Sequence, residues 1–272
     1  MAGKSTDITP ESVIRDIRAG HIRPIYYLMG EESYYIDRIS DSIVNILLKP
    51  EERDFNLITL FGADTDVATV INTSKSFPMG ASRQVVVVRE AQNLQGREKL
   101  SFYLKNPQPS TVLVICHKNG ILDRRSKLAA DVEREGVLFE SRKLRDYQLP
   151  AFISGYLKKQ GIGIELSAAE ILAQYVGADL NRMVGELEKL QISLPAGERL
   201  ITSDAIEKNI GISKEFNSFE LRNALIEKDI YKANRIVKYF DETPRMNPMV
   251  KILPVLFNFF SNLMLTYYAR SK

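Results

Sequence analysis

Histidine and cysteine are almost missing from this chain of 272 residues, which holds two histidines, His21 and His117, and one cysteine, Cys116. A zinc site draws its ligands largely from these residue types, and a nucleophile–histidine pair needs a histidine beside its Ser or Cys. With no HExxH and no CxxC, neither chemistry has material to work with. One cysteine excludes a disulfide within the chain, and its place in the apolar run TVLVIC reads as a buried strand thiol. An excess of one sign of charge is also lacking, with 37 Lys and Arg against 34 Asp and Glu. The formal net charge is +3, too small to announce a nucleic-acid surface, so any basic footprint is local. Long apolar runs are lacking too: VLFNFFSNLMLTYY is about fourteen residues and carries Asn258, Ser261, Asn262 and Thr266, whereas a span needs roughly 20. A buried or partner-facing helix is expected there. The opening MAGKSTDITPES is polar, with no signal-peptide pattern, which suits a cytoplasmic protein.

What is present is enough for real cores, since 44% of residues are hydrophobic. PIYYLM, FNLITLFG, RQVVVVRE, TVLVICH and GVLFES read as five strands, separated by intervals too long for hairpins. Continuous runs such as VVVV and VLVI imply strands covered on both faces, which is the mark of a parallel sheet between helices. SYYIDRISDSIVNILL follows the first strand with Tyr35, Ile39, Ile43, Ile46 and Leu47 near helical spacing. These elements predict an α/β domain over residues 1–143. Beyond Lys143 the strand signals stop. SAAEILAQYVG opens with a serine suited to an N-cap and a glutamate three residues on, and Leu180, Met183, Leu187 and Leu190 form an apolar stripe. A small helical domain is expected over 144–211, and a further helical segment over 212–272 that is expected to be cut short.

The stretch YYLMGEESYYIDR lies at the strand-to-helix turn where nucleotide-binding proteins carry a phosphate loop. Such a loop needs glycines, a lysine for the β and γ oxygens and a Ser or Thr for magnesium. Here Gly30 is followed by Glu31 and Glu32, whose carboxylates would repel a triphosphate and suit a helix N-terminus instead. VVVVREAQNL resembles the Walker B stretch of ATPases, but Arg89, followed by Glu90, stands at the first acidic position. This degenerate site is not expected to bind nucleotide, and no cofactor is expected. Glu186 and Glu188 lie on a charge-rich helix and read as a solvated face rather than an acid–base pair.

An ATPase-like α/β domain without its ATP chemistry, followed by a helical lid and a further helical domain, resembles the delta subunit family of the bacterial DNA polymerase III clamp loader. PIYYLMGEESYYIDR, FPMGASRQVVVVREAQNL, LDRRSKLAADVEREGVLFE, DLNRMVGELEKL and FNSFELRNAL carry the resemblance in order. It implies an AAA+-like five-stranded parallel sheet, a helical lid and a helical collar domain. It implies a non-catalytic subunit of a holoenzyme that is a DNA-directed DNA polymerase. Its job would be to bind the beta sliding clamp and help hold it open for loading on primed DNA. Sister subunits of the tau/gamma and delta-prime types would be partners, with ATP bound by the former; no membrane is implied, and the isolated chain would be a monomer.

The family's clamp contact is made by hydrophobic side chains just before the ASRQ-like stretch, which here implies Phe77, Pro78 and Met79. Read from physics alone, these residues sit on a turn beside a glycine, where they either project as an apolar anchor or fold back as caps on the core. Basic clusters at Arg124, Arg125 and Lys127, at Arg142, Lys143 and Arg145, and at Lys158 and Lys159 read either as phosphate contacts or as solvated ion pairs. Phe257, Phe259, Phe260, Tyr267 and Tyr268 form an aromatic stripe for helix packing or subunit contact. Three other readings compete: a delta-prime-type subunit, for which one cysteine cannot supply a zinc cluster; an NTPase with a cryptic site; and a stand-alone nucleic-acid-binding protein.

Overall fold

The computed structural model describes residues 8–210, 216–245 and 247–270, and the chain divides into two compact units, Met1–Lys143 and Leu144–Lys272. The expected division at 211/212 lies outside the described residues.

In the first unit, helix α1 (Pro10–Arg18) leads into β1 (Ile25–Gly30) and α2 (Ser33–Leu47); the short α3 (Arg53–Asn56) precedes β2 (Leu57–Phe61) and α4 (Val67–Ser74). Then come β3 (Gln84–Arg89), α5 (Leu100–Leu104), β4 (Thr111–Lys118), α6 (Lys127–Glu135) and β5 (Val137–Ser141). The strands form one sheet in the order β2-β3-β4-β1-β5, parallel throughout. Alternate residues of each strand point to opposite faces, which explains why the central strands are apolar without a break. Tyr27, Met29, Val86, Val88, Leu113 and Ile115 pack under α4, α5 and α6. Tyr26, Leu28, Val85, Val87, Val114 and Cys116 pack under α1 and α2. The buried stripe of α2 is Ile36, Ile39, Ile43 and Val44, so the face expected from Tyr35, Ile46 and Leu47 is rotated and those three lie only partly covered at its edge.

The second unit runs through α7 (Leu149–Lys158), β6 (Gly163–Ile164), α8 (Leu166–Val176), α9 (Leu180–Ser193), β7 (Leu200–Ile201) and α10 (Ser203–Ile210). Helices α11 (Ser218–Glu227), α12 (Ile230–Glu242) and α13 (Met249–Arg270) complete it. Leu180, Met183, Leu187 and Leu190 are all buried, as the stripe predicts. Two expectations need correcting. Strand structure does not end at Lys143, because β6 and β7 pair in parallel; two-residue strands are too short to leave a periodic signal. The capping box at Ser167 does not form: α8 starts at Leu166 with Glu165 as its N-cap, and Ser167 Oγ lies 3.0 Å from Ser203 Oγ instead.

Helix α13 is 22 residues long and extends beyond the fourteen-residue apolar run on both sides, so that by length and composition it is apolar enough to cross a membrane, which the run alone was not expected to do. It is also not a buried helix: Ile252 alone among its residues is buried, joining Leu221, Ile236 and Phe240, while Phe257, Tyr267 and Tyr268 are exposed.

Candidate functional site

Because all five strands run the same way, the first unit has two distinct sheet edges, and each carries one group of sequence-predicted residues. The C-terminal ends of β1 and β3 carry Gly30, Glu31, Glu32, Arg89 and Glu90. The N-terminal ends of β2 and β3 carry the turn with Phe77, Pro78 and Met79, roughly 20 Å away along the strands.

At the C-terminal edge, the backbone of the first turn is engaged by the protein itself. Gly30 N–H donates to the Gly120 carbonyl (2.9 Å), Glu32 N–H to the Ser141 carbonyl (3.3 Å), and Tyr34 N–H to Glu32 Oε1 (3.0 Å). Ser141 Oγ–H closes the loop by donating to the Glu32 carbonyl (2.7 Å). The N–H groups of Gly30, Glu32 and Tyr34 therefore already have partners within the chain. The two glutamates, read alike from sequence, separate here: Glu32 is buried and caps α2, whereas Glu31 faces solvent. Gly30 has φ +130°, a conformation that only glycine adopts freely, and a Cβ there would lie 2.0 Å from the Ser141 carbonyl oxygen.

The charges at this edge neutralise one another. Arg89 reaches from the end of β3 to Asp41 (3.2 Å) and Asp37 (3.6 Å) on α2. Lys118, at the end of β4, lies 2.8 Å from the second oxygen of Asp37 and 3.8 Å from Glu90. Glu90 holds a left-handed backbone with φ +52° and accepts a hydrogen bond from the Gln92 amide. Asp37, Asp41 and Lys118 were not foreseen as members of this group. The only local signal was a pair of acids four residues apart on the helix after the turn. Among the described residues no cluster of His, Cys, Asp and Glu is arranged to hold a metal ion.

At the N-terminal edge, Phe77 is 77% exposed and Met79 66%, with Pro78 half-buried between them. Neither large side chain folds back over the core, so the capping alternative is not what forms. The backbone around them is held firmly. Asn56, 1% exposed, accepts from the Met79 N–H through Oδ1 (2.7 Å) and donates from Nδ2 to the Met79 carbonyl (2.9 Å) and the Glu52 carbonyl (3.0 Å). Gln84, 2% exposed, donates from Nε2 to the Ser76 carbonyl (2.7 Å) and the Thr73 carbonyl (3.2 Å). Gly80 turns the chain with φ +65°.

Two groups named from sequence are drawn elsewhere. Arg124 pairs with Glu133 (3.2 Å) and Glu140 (2.9 Å), Arg142 with Glu140 (2.8 Å), and Arg125 with Asp123 (3.5 Å). These are local ion pairs, and they hold the Glu140 carboxyl below its ordinary pKa through hydrogen bonds from Arg142 and Arg124. His117 and Cys116 are buried in β4. His117 Nδ1 lies 3.0 Å from the Tyr27 hydroxyl, and burial, with the Arg97 charge as a lesser cause, lowers the imidazole pKa to about 4. Burial pushes the Cys116 thiol up to about 11. Neither is poised as a nucleophile or base.

Residues 26–142 match the family model described as DNA polymerase III, delta subunit. The DNA polymerase III subunit delta of Bacillus subtilis is 26% identical over 266 residues, covering 94% of this chain and 76% of that protein. A probable DNA polymerase III subunit delta from Aquifex aeolicus is 24% identical over 78% of this chain and 62% of its own length. Among solved structures, the Bacillus subtilis DNA clamp loader delta protein aligns with a TM-score of 0.63 at 24% identity, covering 97% of this chain and 80% of that one, which speaks to the fold. Residues 26–142 thus match the model of the DNA polymerase III delta subunit family, and over nearly its whole length the chain is similar to a delta subunit of that polymerase.

Proposed function

We propose that this chain acts as the delta subunit of a clamp loader: it binds the beta sliding clamp through Phe77, Pro78 and Met79 and helps hold the ring open for loading on primed DNA, without hydrolysing ATP itself. The observation that carries the reading is the exposure of Phe77 and Met79 on a loop whose backbone is fixed from beneath. A large apolar side chain held out in solvent loses the hydrophobic stabilisation it would have inside, and an aromatic anchor on a firm backbone suits a pocket on another protein. Methionine beside it adapts to the pocket's shape.

The non-catalytic half of the reading is supported at the other edge of the sheet. There the loop donors, the Asp37 carboxylate and the Arg89 and Lys118 cations are engaged with one another, and Glu31 and Glu32 add negative charge where a triphosphate would sit. ATP is then the business of sister subunits, and in this chain the strand-to-helix turn is scaffold. Assembly with those subunits goes through the second unit, where α13 leaves Phe257, Tyr267 and Tyr268 uncovered. Exposed aromatics of this kind are common in protein interfaces.

Titrating the protein against the sliding clamp of the same organism tests the reading. The Phe77→Ala, Met79→Ala double variant, with unchanged circular dichroism, is expected to lose most of the binding shown by the wild type. Equal binding by both would move the contact elsewhere, and absence of binding by the wild type would overturn the proposal. Titration with ATP and magnesium is expected to give no saturable heat; micromolar binding would instead favour an NTPase.

A further inference from the structure

We infer that Asn56 and Gln84 are positioning residues, two buried amides that fix the loop carrying Phe77 and Met79 in a binding-ready shape before any partner arrives. The inference rests on the reading of Phe77 and Met79 as partner-binding residues and adds what gives that loop its affinity. Neither side chain is charged, neither reaches the surface, and each bonds to the loop's backbone rather than to its side chains. Asn56 makes a two-way bond with Met79 N–H and C=O, the pairing a neighbouring strand would provide, though it comes from 23 residues earlier in the chain. Gln84 holds the Ser76 carbonyl on the other side of Phe77, and its Nε2 lies 2.8 Å from Thr111 Oγ1. The loop is thus fixed at Ser76 and at Met79. The two residues between are Phe77 and Pro78, and the proline ring locks one more backbone angle.

This arrangement has a physical consequence for binding. A mobile loop gives up conformational freedom when it docks, and the loss weakens affinity; a loop already fixed by the fold has given it up during folding. Exposed apolar side chains on a free loop would also collapse onto the nearest apolar surface. Fixing Ser76 and Met79 prevents that collapse and keeps Phe77 projecting. Hydrogen bonds from buried amides suit the task, because each amide is held in place by the fold and its bond to Met79 or Ser76 is partly shielded from water.

A double-mutant cycle on the folded protein separates positioning from plain stability. Wild type, Asn56→Ala, Phe77→Leu and the double variant are titrated against the sliding clamp at a temperature where circular dichroism shows all four folded. The expected result is a roughly tenfold weakening by Asn56→Ala, with faster hydrogen exchange at the Met79 amide and a less favourable binding entropy. In the Phe77→Leu background the same substitution is expected to cost markedly less, because Asn56 acts through Phe77. Equal losses in both backgrounds, or unchanged affinity in Asn56→Ala, would overturn the inference while leaving the clamp contact intact. If Phe77→Leu and the Phe77→Ala, Met79→Ala variant both bind like wild type, the clamp contact itself fails, and this inference fails with it. Should Asn56→Ala not fold, Gln84→Ala takes its place, since it releases the Ser76 carbonyl at the other end of the same loop.

Discussion

Gly30 and Ser141 approach so closely that a single methyl group on Gly30 would lie 2.0 Å from the Ser141 carbonyl oxygen. The turn after β1 is closed against the end of β5, and the left-handed backbone at Gly30 makes that closure possible. Gly30→Ala is expected to cost about 3 kcal/mol or more, from backbone strain plus the displaced strand. Gly155→Ala in α7, where an added Cβ meets nothing within 4 Å, is expected to be neutral or stabilising by up to about 1 kcal/mol. Denaturant melts of the two variants check the contrast, and similar midpoints would sink it.

Asp37 serves two cations at once, with Lys118 at 2.8 Å and Arg89 at 3.6 Å. Asp37→Asn leaves both cations short of a counter-charge and is expected to lower stability by about 1 kcal/mol in low salt, less in high salt. It is not expected to create ATP binding, because the backbone donors stay engaged. Melts at two ionic strengths and one nucleotide titration test both statements; a salt-independent loss would point to packing instead.

His117 makes stability depend on acid. The unfolded imidazole takes up a proton near 6.5 and the folded one only near 4, so within that window the unfolded state binds more protons. The stability gained by keeping the ring neutral is complete above pH 6.5 and is lost as pH falls towards 4, by about 3 kcal/mol at full extent. His117→Gln is expected to flatten this part of the stability profile. An unchanged slope between the two pH values would assign it to other groups.

Cys116 is fully buried, and its thiol pKa is pushed up to about 11, so the thiolate is scarce as well as inaccessible. A thiol reagent is expected to label native protein only as fast as the sheet opens, and unfolded protein at once. Rapid stoichiometric labelling under native conditions would contradict the burial of β4.

Much of the first unit was legible because its signals are local. VVVV and TVLVIC announce strands covered on both faces, and the intervals between strands exclude hairpins. The α2 stripe was legible too, though shifted, because apolar residues on both flanks of a helix leave the centre of its buried face to packing. The Ser167 cap failed for a related reason: Ser-x-x-Glu fits a cap wherever the helix starts, and here the helix starts before it.

By itself the sequence determined that five apolar strands form a parallel sheet, that the turn after β1 carries two glutamates and no phosphate-loop lysine, and that an apolar pair flanks Pro78. Only the tertiary structure decided that Phe77 and Met79 project outward, that Glu32 turns inward while Glu31 does not, and that Arg89 spans 48 residues to reach Asp41. The division follows from the range of the forces. Periodicity and turn chemistry act over a few neighbouring residues and are written in the order of the letters. A hydrogen bond from Asn56 to Met79, or an ion pair from β3 to α2, exists only once packing has brought distant segments together.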